Sequence, residues 1–161
     1  MESIMAFSIK NSINFFSKLT IKRTWNMGKV YASFYLSKWK KKPIQWGLPF
    51  SISVEPTTYC NLRCPECPSG LREFTRDTGM LNVDFFQTII DQMHRELVYL
   101  TFYFQGEPYL HKDFLKMVSY AVSKKIYTAT STNAHYLTEA NAKKTIESGL
   151  DRLIISIDGT T

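Results

Sequence analysis

Strand-like and helix-like segments alternate along the chain from residue 51 onward, and this alternation constrains the fold more than any other feature. Four segments have the apolar or alternating pattern that is typical of strands: 51–55, 97–104, 126–131 and 153–157. Three longer segments between them carry apolar residues at helical spacing: 82–96, 113–125 and 138–149. Strands that alternate with helices of this length predict right-handed crossovers and a parallel sheet, so the predicted fold class is α/β.

The ends of two predicted helices carry capping residues. Asn82 can accept a hydrogen bond from the first turn of the first helix, and Thr138 can do the same for the third. Gly149 is placed to end that third helix, because glycine adopts the left-handed conformation that often follows a helix.

Every loop that follows a strand of a parallel sheet opens on the same edge of that sheet. In this chain the loops are 56–70, 105–110, 132–135 and 158–161. The same edge is where open α/β sheets and α/β barrels bind their ligands. The sequence therefore predicts that a functional site forms where these four loops meet.

All three cysteines of the chain lie in the first of these loops, as Cys60-x3-Cys64-x2-Cys67. Three thiolates on one loop can bind three irons of a [4Fe–4S] cluster and leave the fourth iron without a protein ligand. An odd count disfavours a disulfide framework, and a structural zinc site usually needs a fourth ligand. The spacing therefore favours an iron–sulfur cluster over zinc, and zinc over thiols that bind no metal. No role is assigned to the histidines, which lie far apart in the sequence: His94, His111 and His135.

Residues 1–50 form a leader of different composition. The leader has nine Lys or Arg and the single acid Glu2, whereas residues 51–161 have eleven basic and thirteen acidic residues. Because the positive charge lies in the leader, a nucleic-acid partner is not expected for the remainder. Aromatic residues at helical spacing predict that the leader is helical up to the boundary at 40–43, where Pro43 disfavours helix in the residue before it.

Two interpretations of this basic, aromatic leader remain open. Its apolar face can pack on the protein's own core, or the leader can lie on an anionic membrane surface. Packing is the favoured interpretation. The sequence has no apolar run of bilayer length and no secretory signal, and thiolate ligands need a reducing compartment, so the cytoplasm is the expected location.

Four motifs follow the four predicted strands in order: Cys60-x3-Cys64-x2-Cys67, Gly106-Glu107-Pro108, Ser131-Thr132-Asn133 and Ser156-Ile157-Asp158-Gly159. With these motifs at its strand ends, the chain resembles the radical S-adenosylmethionine (SAM) enzymes. The resemblance covers about residues 51–161. The phrase Cys60-Asn-Leu-Arg-Cys64 is similar to the branch that matures peptides and proteins, whose full members often carry a C-terminal SPASM domain with auxiliary clusters.

The resemblance implies a set of cofactors. Cys60, Cys64 and Cys67 would bind three irons of a [4Fe–4S] cluster, and the amino and carboxylate groups of SAM would chelate the fourth. The reduced cluster would cleave SAM to methionine and a 5′-deoxyadenosyl radical, which abstracts hydrogen from a substrate. That substrate is expected to be a peptide or protein, and the reductant a flavodoxin or ferredoxin.

The resemblance also implies which residues contact SAM. Glu107 and the backbone of the Gln105–Pro108 turn, which includes Gly106, would accept hydrogen bonds from the SAM ammonium group. Ser156 and Asn133 would hold the carboxylate or the ribose. Asp158 and Gly159 form a common turn pair, and Asp158 is a weaker candidate.

Two positions depart from the family pattern. Glu66 stands where the family usually has an aromatic residue whose region contacts adenine, so a backbone contact would have to serve instead. Gln105 stands where the family often has the first glycine of Gly-Gly-Glu, and its side chain restricts the backbone conformations that the turn can adopt.

The number of strands leads to a further expectation. The family core is a partial (β/α)6 barrel, whereas only four βα units can be counted in 51–161. The chain is therefore expected to be the basic helical leader followed by the first part of a longer core, able to bind a cluster but poor at cleaving SAM. The alternatives are a non-catalytic iron–sulfur or zinc-binding fragment and an inactive truncated product.

Overall fold

The computed structural model describes residues 2–157, and the side chains of residues 9–157. Within this range the helices are α1 Glu2–Ser17, α2 Ile21–Lys40, α3 Pro68–Leu71, α4 Val83–Met93, α5 Phe114–Ser123 and α6 Glu139–Glu147. The strands are β1 Ser51–Ser53, β2 Tyr99–Thr101, β3 Tyr127–Thr132 and β4 Arg152–Ile155, and a short 3-10 helix covers Pro108–Leu110.

The four strands form one parallel sheet in the order β1-β2-β3-β4. Ser51 lies opposite Tyr99, Tyr99 opposite Tyr127, and Ala129 opposite Arg152. The strand order follows the chain order, as expected when each strand is joined to the next by a helical crossover. The predicted α/β class and parallel sheet are confirmed.

β2 is shorter than the predicted strand over 97–104, although its hydrogen bonding continues at both ends. The amide of Val98 donates to the Phe50 carbonyl at 2.8 Å, and the amide of Phe102 donates to the Ala129 carbonyl at 2.8 Å. The regular ladder covers three residues with each neighbour, although β3 itself has six. Leu97, Val98, Leu100 and Phe102 are buried, whereas Phe104 is 76% exposed, so the apolar pattern at 97–104 extends beyond the strand.

The predicted helix caps are present. Asn82 Oδ1 accepts a hydrogen bond from the Phe85 amide at 2.9 Å, and Thr138 Oγ1 accepts one from the Asn141 amide at 3.3 Å. Gly149 follows α6 with a φ of +77°, in the left-handed region where glycine is favoured.

The hydrophobic core lies between one face of the sheet and the helices α4 and α5. Phe102, directly after β2, packs against Phe86 of α4 and Phe114 of α5, with ring centroids 5.6 Å apart in both pairs. All three rings are buried. This packing fixes the carboxyl end of β2 and with it the start of the 105–110 loop.

Helix α1 of the leader contacts the sheet. The Phe15 ring lies 5.5 Å from the Tyr127 ring, which in turn stacks on Tyr99 at 5.1 Å. Asn14 donates a hydrogen bond to Asp151 at 2.7 Å, and Lys18 pairs with the same carboxylate at 3.2 Å. These contacts place α1 against the core, as the favoured interpretation of the leader expected. The same interpretation does not hold for α2, where Trp25, Tyr35 and Trp39 are exposed.

Helix α2 is held by the buried guanidinium of Arg23. Its nitrogens donate to the carbonyls of Lys18 at 2.6 Å, His94 at 2.7 Å and Lys124 at 3.0 Å, and also to that of Lys125. The last three carbonyls follow α4 and α5, where the helix dipole is negative, so a cation is favoured there. Burial lowers the pKa of the Arg23 guanidinium, and the negative charge of Glu96 works against that shift.

Among the described residues, no helix combines the length and the apolar character that crossing a bilayer requires.

Candidate metal and cofactor site

The cysteine loop leaves β1 and is anchored at its base by the segment before α4. Thr57 pairs with Met80 in an isolated antiparallel bridge. The Thr58 hydroxyl accepts a hydrogen bond from the Gly79 amide at 2.8 Å, and the Leu81 amide donates to the Pro56 carbonyl at 2.9 Å. The loop that carries the cysteines therefore starts from a fixed base at the carboxyl edge of the sheet.

The second half of the loop is a tight turn into α3. The Cys67 amide donates to the Cys64 carbonyl at 3.2 Å. Gly70 lies so close to this turn that an added Cβ would stand 2.5 Å from both the nitrogen and the oxygen of Cys64. Only glycine permits this approach, which fixes the relative position of Cys64 and Cys67.

The three thiols are half-buried and free of disulfides. Among the residues that the structure describes, no three Cys, His, Asp or Glu side chains converge so that they could hold one metal ion. A single tetrahedral zinc would bring its thiolates to about 3.8 Å from one another, given a Zn–S distance of about 2.3 Å. A [4Fe–4S] cube instead takes one thiolate per iron, and three cysteine thiols on one loop are the donor set that such a cluster needs.

The electrostatic surroundings of Cys60 disfavour a bare thiolate. Burial raises the pKa of the Cys60 thiol, and the negative charges of Glu107, Cys67 and Cys64 add to that increase. A hydrogen bond from the Leu62 backbone acts in the opposite direction. A group that brings positive charge to this loop would relieve the repulsion among the three sulfurs.

The loop after β2 lies directly on the cysteine loop. Gly106 has a φ of +77°, and a Cβ at this position would stand 2.1 Å from the Thr57 carbonyl oxygen. The next amide, that of Glu107, donates to the Tyr59 carbonyl at 2.8 Å. Glycine is therefore required at position 106 both for its conformation and for the close approach of the two loops.

The carboxylate of Glu107 is buried, with a relative exposure of 2%. One oxygen accepts hydrogen bonds from the Thr132 hydroxyl at 2.7 Å and the Tyr109 amide at 3.2 Å. The other accepts from the Asn133 amide at 2.9 Å. Glu107 thus joins the loop after β2 to the end of β3.

Gln105 links the same turn to the last cysteine. The Ser69 hydroxyl donates to Gln105 Oε1 at 2.9 Å and accepts from the Gly106 amide at 2.9 Å. The Cys67 sulfur lies 3.7 Å from Gln105 Oε1. Gln105, which stands where the family often has glycine, therefore connects the cysteine loop to the turn after β2 through its side chain.

Asn133, at the end of β3, reaches the first cysteine. Its Nδ2 donates to Asn61 Oδ1 at 2.9 Å and lies 3.9 Å from the Cys60 sulfur. Its Oδ1 accepts from the His135 amide at 3.1 Å, so Asn133 also forms the turn that follows the strand. The His135 ring nitrogen lies 3.0 Å from Asn61 Nδ2, which places one of the unassigned histidines at the rim of the site.

The remaining predicted residues lie along the same edge. Pro108 is buried at the start of the 3-10 helix. Ser156 is exposed at the end of β4, where its hydroxyl lies 3.1 Å from that of Ser131 and its amide donates to the Thr132 carbonyl at 3.0 Å. Glu66 is exposed, and Asp158 lies outside the described residues.

Three residues of this network were not singled out by sequence reasoning: Asn61, Ser69 and Thr132. Thr132 stands in the third strand-end motif, and its position beside Asn133 was a usable signal. Asn61 likewise stands in the phrase Cys60-Asn-Leu-Arg-Cys64, although its partner Asn133 lies 72 residues away in the chain. Ser69 gave no such signal, because its partner Gln105 lies 36 residues away.

Comparison with known proteins gives a consistent result. The Radical SAM superfamily matches residues 54–161. The PqqA peptide cyclase of Rhodopseudomonas palustris is 29% identical over 115 residues, which are 71% of this chain and 30% of that protein. The mycofactocin maturase MftC of Mycobacterium ulcerans is 33% identical over 113 residues, 70% of this chain and 30% of that protein. The chain thus spans about a third of the length of these curated relatives.

Solved structures show the same fold. BtrN in complex with AdoMet and 2-DOIA superposes with a TM-score of 0.60 at 23% identity, over 71% of this chain and 48% of that one. SuiB of Streptococcus suis bound to S-adenosylmethionine superposes with a TM-score of 0.52 at 22% identity, over 73% of this chain and 26% of that one. Because the family match takes in all three cysteines and every strand-end loop beyond them, the chain belongs to the Radical SAM superfamily.

Proposed function

We propose that this chain forms the part of a radical SAM enzyme that binds a [4Fe–4S] cluster and SAM, and that the enzyme modifies a peptide or protein. One observation carries the proposal: the cysteine loop, the turn after β2 and the end of β3 are hydrogen-bonded into one unit. Glu107 provides the central links, through its amide to the Tyr59 carbonyl at 2.8 Å and through its carboxylate to Thr132 at 2.7 Å.

In this proposal Cys60, Cys64 and Cys67 each bind one iron. A thiolate bound to iron has no proton to donate, so the Gln105 amide would turn its nitrogen toward Cys67. Asn133 already points its Nδ2 group at Cys60 from 3.9 Å. Two of the three sulfurs would then accept hydrogen bonds from neutral amides, which stabilise the added negative charge of a reduced cluster.

The turn after β2 would bind the SAM ammonium group. The Glu107 carboxylate already accepts three hydrogen bonds inside the protein. Its role is therefore to hold the turn and to contribute negative charge from a buried position, while the backbone carbonyls of Gln105 and Gly106 accept from the ammonium. Pro108 fixes the far side of the turn. Asn133 and Ser156, further along the same edge, would hold the SAM carboxylate or ribose.

When bound and reduced, the cluster supplies the electron that cleaves SAM into methionine and a 5′-deoxyadenosyl radical that takes hydrogen from the substrate. The residues of this chain position the two cofactors and keep the loops together. Their half-buried setting at the sheet edge limits the access of water to the cysteines.

The relatives support a peptide or protein substrate. One of them is named a peptide cyclase and another a maturase, and SuiB has been solved bound to the precursor peptide SuiA. The one-electron donor would be a flavodoxin or ferredoxin, and the site of action the cytoplasm, where thiolate ligands stay reduced. An auxiliary-cluster domain of the SPASM type would belong to the complete enzyme.

Anaerobic reconstitution followed by equilibrium dialysis with labelled SAM tests the proposal. We expect about four irons per chain and SAM binding that requires the cluster. The Cys64→Ala variant should lose both, whereas the Ser123→Ala variant, altered at the far end of α5, should keep both. Stoichiometric zinc without iron, or SAM binding that is equal with and without the cluster, would contradict the proposal.

A further inference from the structure

Helix α2 presents an apolar face that its packing on the core leaves uncovered. Its buried positions are Arg23, Asn26 and Ser33. Six residues with spacings of four, three, four, three and four lie on the opposite face and form the α2 stripe: Ile21, Trp25, Gly28, Ala32, Tyr35 and Trp39. The stripe runs the length of the helix, about 27 Å at about 1.5 Å per residue.

The large side chains of the α2 stripe are among the most exposed apolar groups of the described chain. The relative exposure is 92% for Ile21, 70% for Trp25, 65% for Tyr35 and 79% for Trp39. Isolated exposed apolar residues need no explanation, but a continuous stripe on one helix marks an interaction surface.

Positive charge borders the stripe on both sides. At about 100° per residue, Lys22, Lys29 and Lys40 lie along one side of the stripe and Lys38 along the other. Lys22 pairs with Glu96 of the core at 2.7 Å. No acidic residue within α2 offsets the other three lysines, because the single acid of the leader is Glu2. Tryptophan and tyrosine on one face with lysines beside them are typical of helices that lie in the interface of an anionic bilayer.

We propose that the α2 stripe docks this protein on an anionic phospholipid surface. The charge pattern argues against the other occupants. Two copies that met through the stripe would bring lysines against lysines, and lysine is depleted in protein–protein interfaces. Anionic headgroups instead complement the lysines while the aromatic rings enter the interfacial layer.

The placement of α2 leaves the cofactor site accessible in the docked state. Arg23 fixes the start of α2 to the carbonyls that follow α4 and α5, at the amino-terminal edge of the sheet. Further along, Asn26 accepts a hydrogen bond from the Leu48 amide at 3.0 Å, and Ser37 Oγ accepts one from the Ile44 amide at 2.9 Å. The cysteine loop lies at the opposite, carboxyl edge, so the stripe and the site face different surroundings.

Vesicle co-sedimentation with the full 161-residue chain tests this proposal without any cofactor. We expect the chain to sediment with phosphatidylcholine vesicles that contain phosphatidylglycerol, and at least about tenfold less with phosphatidylcholine alone or at high salt. A Lys38→Gln variant should bind about fivefold more weakly, because one lysine near a charged bilayer contributes about that factor.

Two variants test whether vesicle binding depends on the α2 stripe or on any exposed apolar side chain. The double variant Trp25→Ser and Trp39→Ser should lose vesicle binding while its circular dichroism stays unchanged, since both side chains are exposed. Ile146→Ser removes an 80% exposed apolar side chain from α6 and should bind as the parent does. The proposal would be overturned if the double variant bound anionic vesicles as the parent does, or if the parent bound neutral vesicles equally well. A dimer that is seen by light scattering and abolished in the double variant would also overturn it.

Discussion

The buried carboxylate of Glu107 accepts a hydrogen bond from the Thr132 hydroxyl at 2.7 Å, across 25 residues of sequence. This contact joins the loop after β2 to the end of β3. The Glu107 amide joins the same loop to the cysteine loop through Tyr59. Three of the four strand-end loops that carry the family motifs are therefore coupled through one residue.

Replacing Glu107 by glutamine should destabilise the protein. Glutamine keeps one oxygen for Thr132 but turns its amide group toward the Asn133 N–H, so two donors would face each other in a buried position. We expect the free energy of unfolding to fall by about 2 kcal/mol. Urea denaturation measures this change, and the exposed Glu73→Gln variant, which should stay within about 0.5 kcal/mol of the parent, is the control. Equal stability of the two variants would show that the buried network does not hold the loops.

Gly106 and Gly28 offer a matched pair of alanine substitutions. At position 106 a Cβ would meet the Thr57 carbonyl oxygen at 2.1 Å, and the φ of +77° is unfavourable for alanine. We expect Gly106→Ala to destabilise the protein by more than about 2 kcal/mol. At position 28, within α2, a Cβ would meet no atom within 4 Å. Gly28→Ala should therefore stabilise the protein by about 0.5–1 kcal/mol, through the higher helix propensity of alanine.

Thermal unfolding of the Gly106 and Gly28 variants, monitored by circular dichroism, gives the sign of each change. A Gly106→Ala variant as stable as the parent would mean that the turn does not lie against the cysteine loop.

Arg23 should contribute more to stability than the neighbouring lysine does. The Arg23 guanidinium donates to carbonyls of the leader and of both core helices, whereas Lys22 pairs with Glu96 at 2.7 Å while its own side chain is 55% exposed. We expect Arg23→Met to cost about 2–4 kcal/mol and Lys22→Met under about 1 kcal/mol.

Limited proteolysis between the leader and β1 provides a second readout for Arg23. Cleavage there should become faster in Arg23→Met and stay unchanged in Lys22→Met. Similar stability and cleavage rates for the two variants would contradict the anchoring role of Arg23.

Gln105 should affect the reduction potential of a reconstituted cluster. Its amide oxygen lies 3.7 Å from the Cys67 sulfur. In the proposed cluster-bound state the amide nitrogen would donate to that sulfur, and loss of this hydrogen bond makes reduction less favourable. We expect Gln105→Leu to lower the potential by on the order of 20–60 mV, the equivalent of one hydrogen bond for a one-electron couple. Redox titration followed by electron paramagnetic resonance measures the shift. Gln45→Leu, in the exposed linker before β1, should leave the potential unchanged, and an equal shift in both variants would rule out the contact.

Much of the fold could be predicted from local patterns. The alternation of strand-like and helix-like apolar patterns predicted the parallel sheet. Asn82 and Thr138 predicted where two helices begin, because a helix cap depends on residues that are neighbours in the chain. The length of β2 could not be predicted in this way. Its ladder depends on contacts with β1 and β3, which are distant in the chain, and it covers three residues with each.

The same distinction between local and long-range signals applies to the site. The spacing of Cys60, Cys64 and Cys67 and the glycine at 106 are local signals, and both lie where the sequence predicted them, at one edge of the sheet. Ser69 became part of the site only through its contacts with Gln105 and Gly106, which the packing of two distant loops creates. Sequence reasoning likewise treated Glu107 as a direct SAM contact, and its burial beneath Thr132 emerged only from the tertiary arrangement.

The most direct test of the central claim is electron paramagnetic resonance of the anaerobically reconstituted, reduced chain, recorded with and without SAM. A cluster held by Cys60, Cys64 and Cys67 has one iron without a protein ligand, so SAM should bind that iron and change the spectrum. We expect a [4Fe–4S]+ signal whose g-values shift when SAM is added, and no such signal in the Cys60→Ala variant. A signal that SAM leaves unchanged, or a chain that takes up zinc and no iron, would show that these cysteines do not hold a SAM-binding cluster.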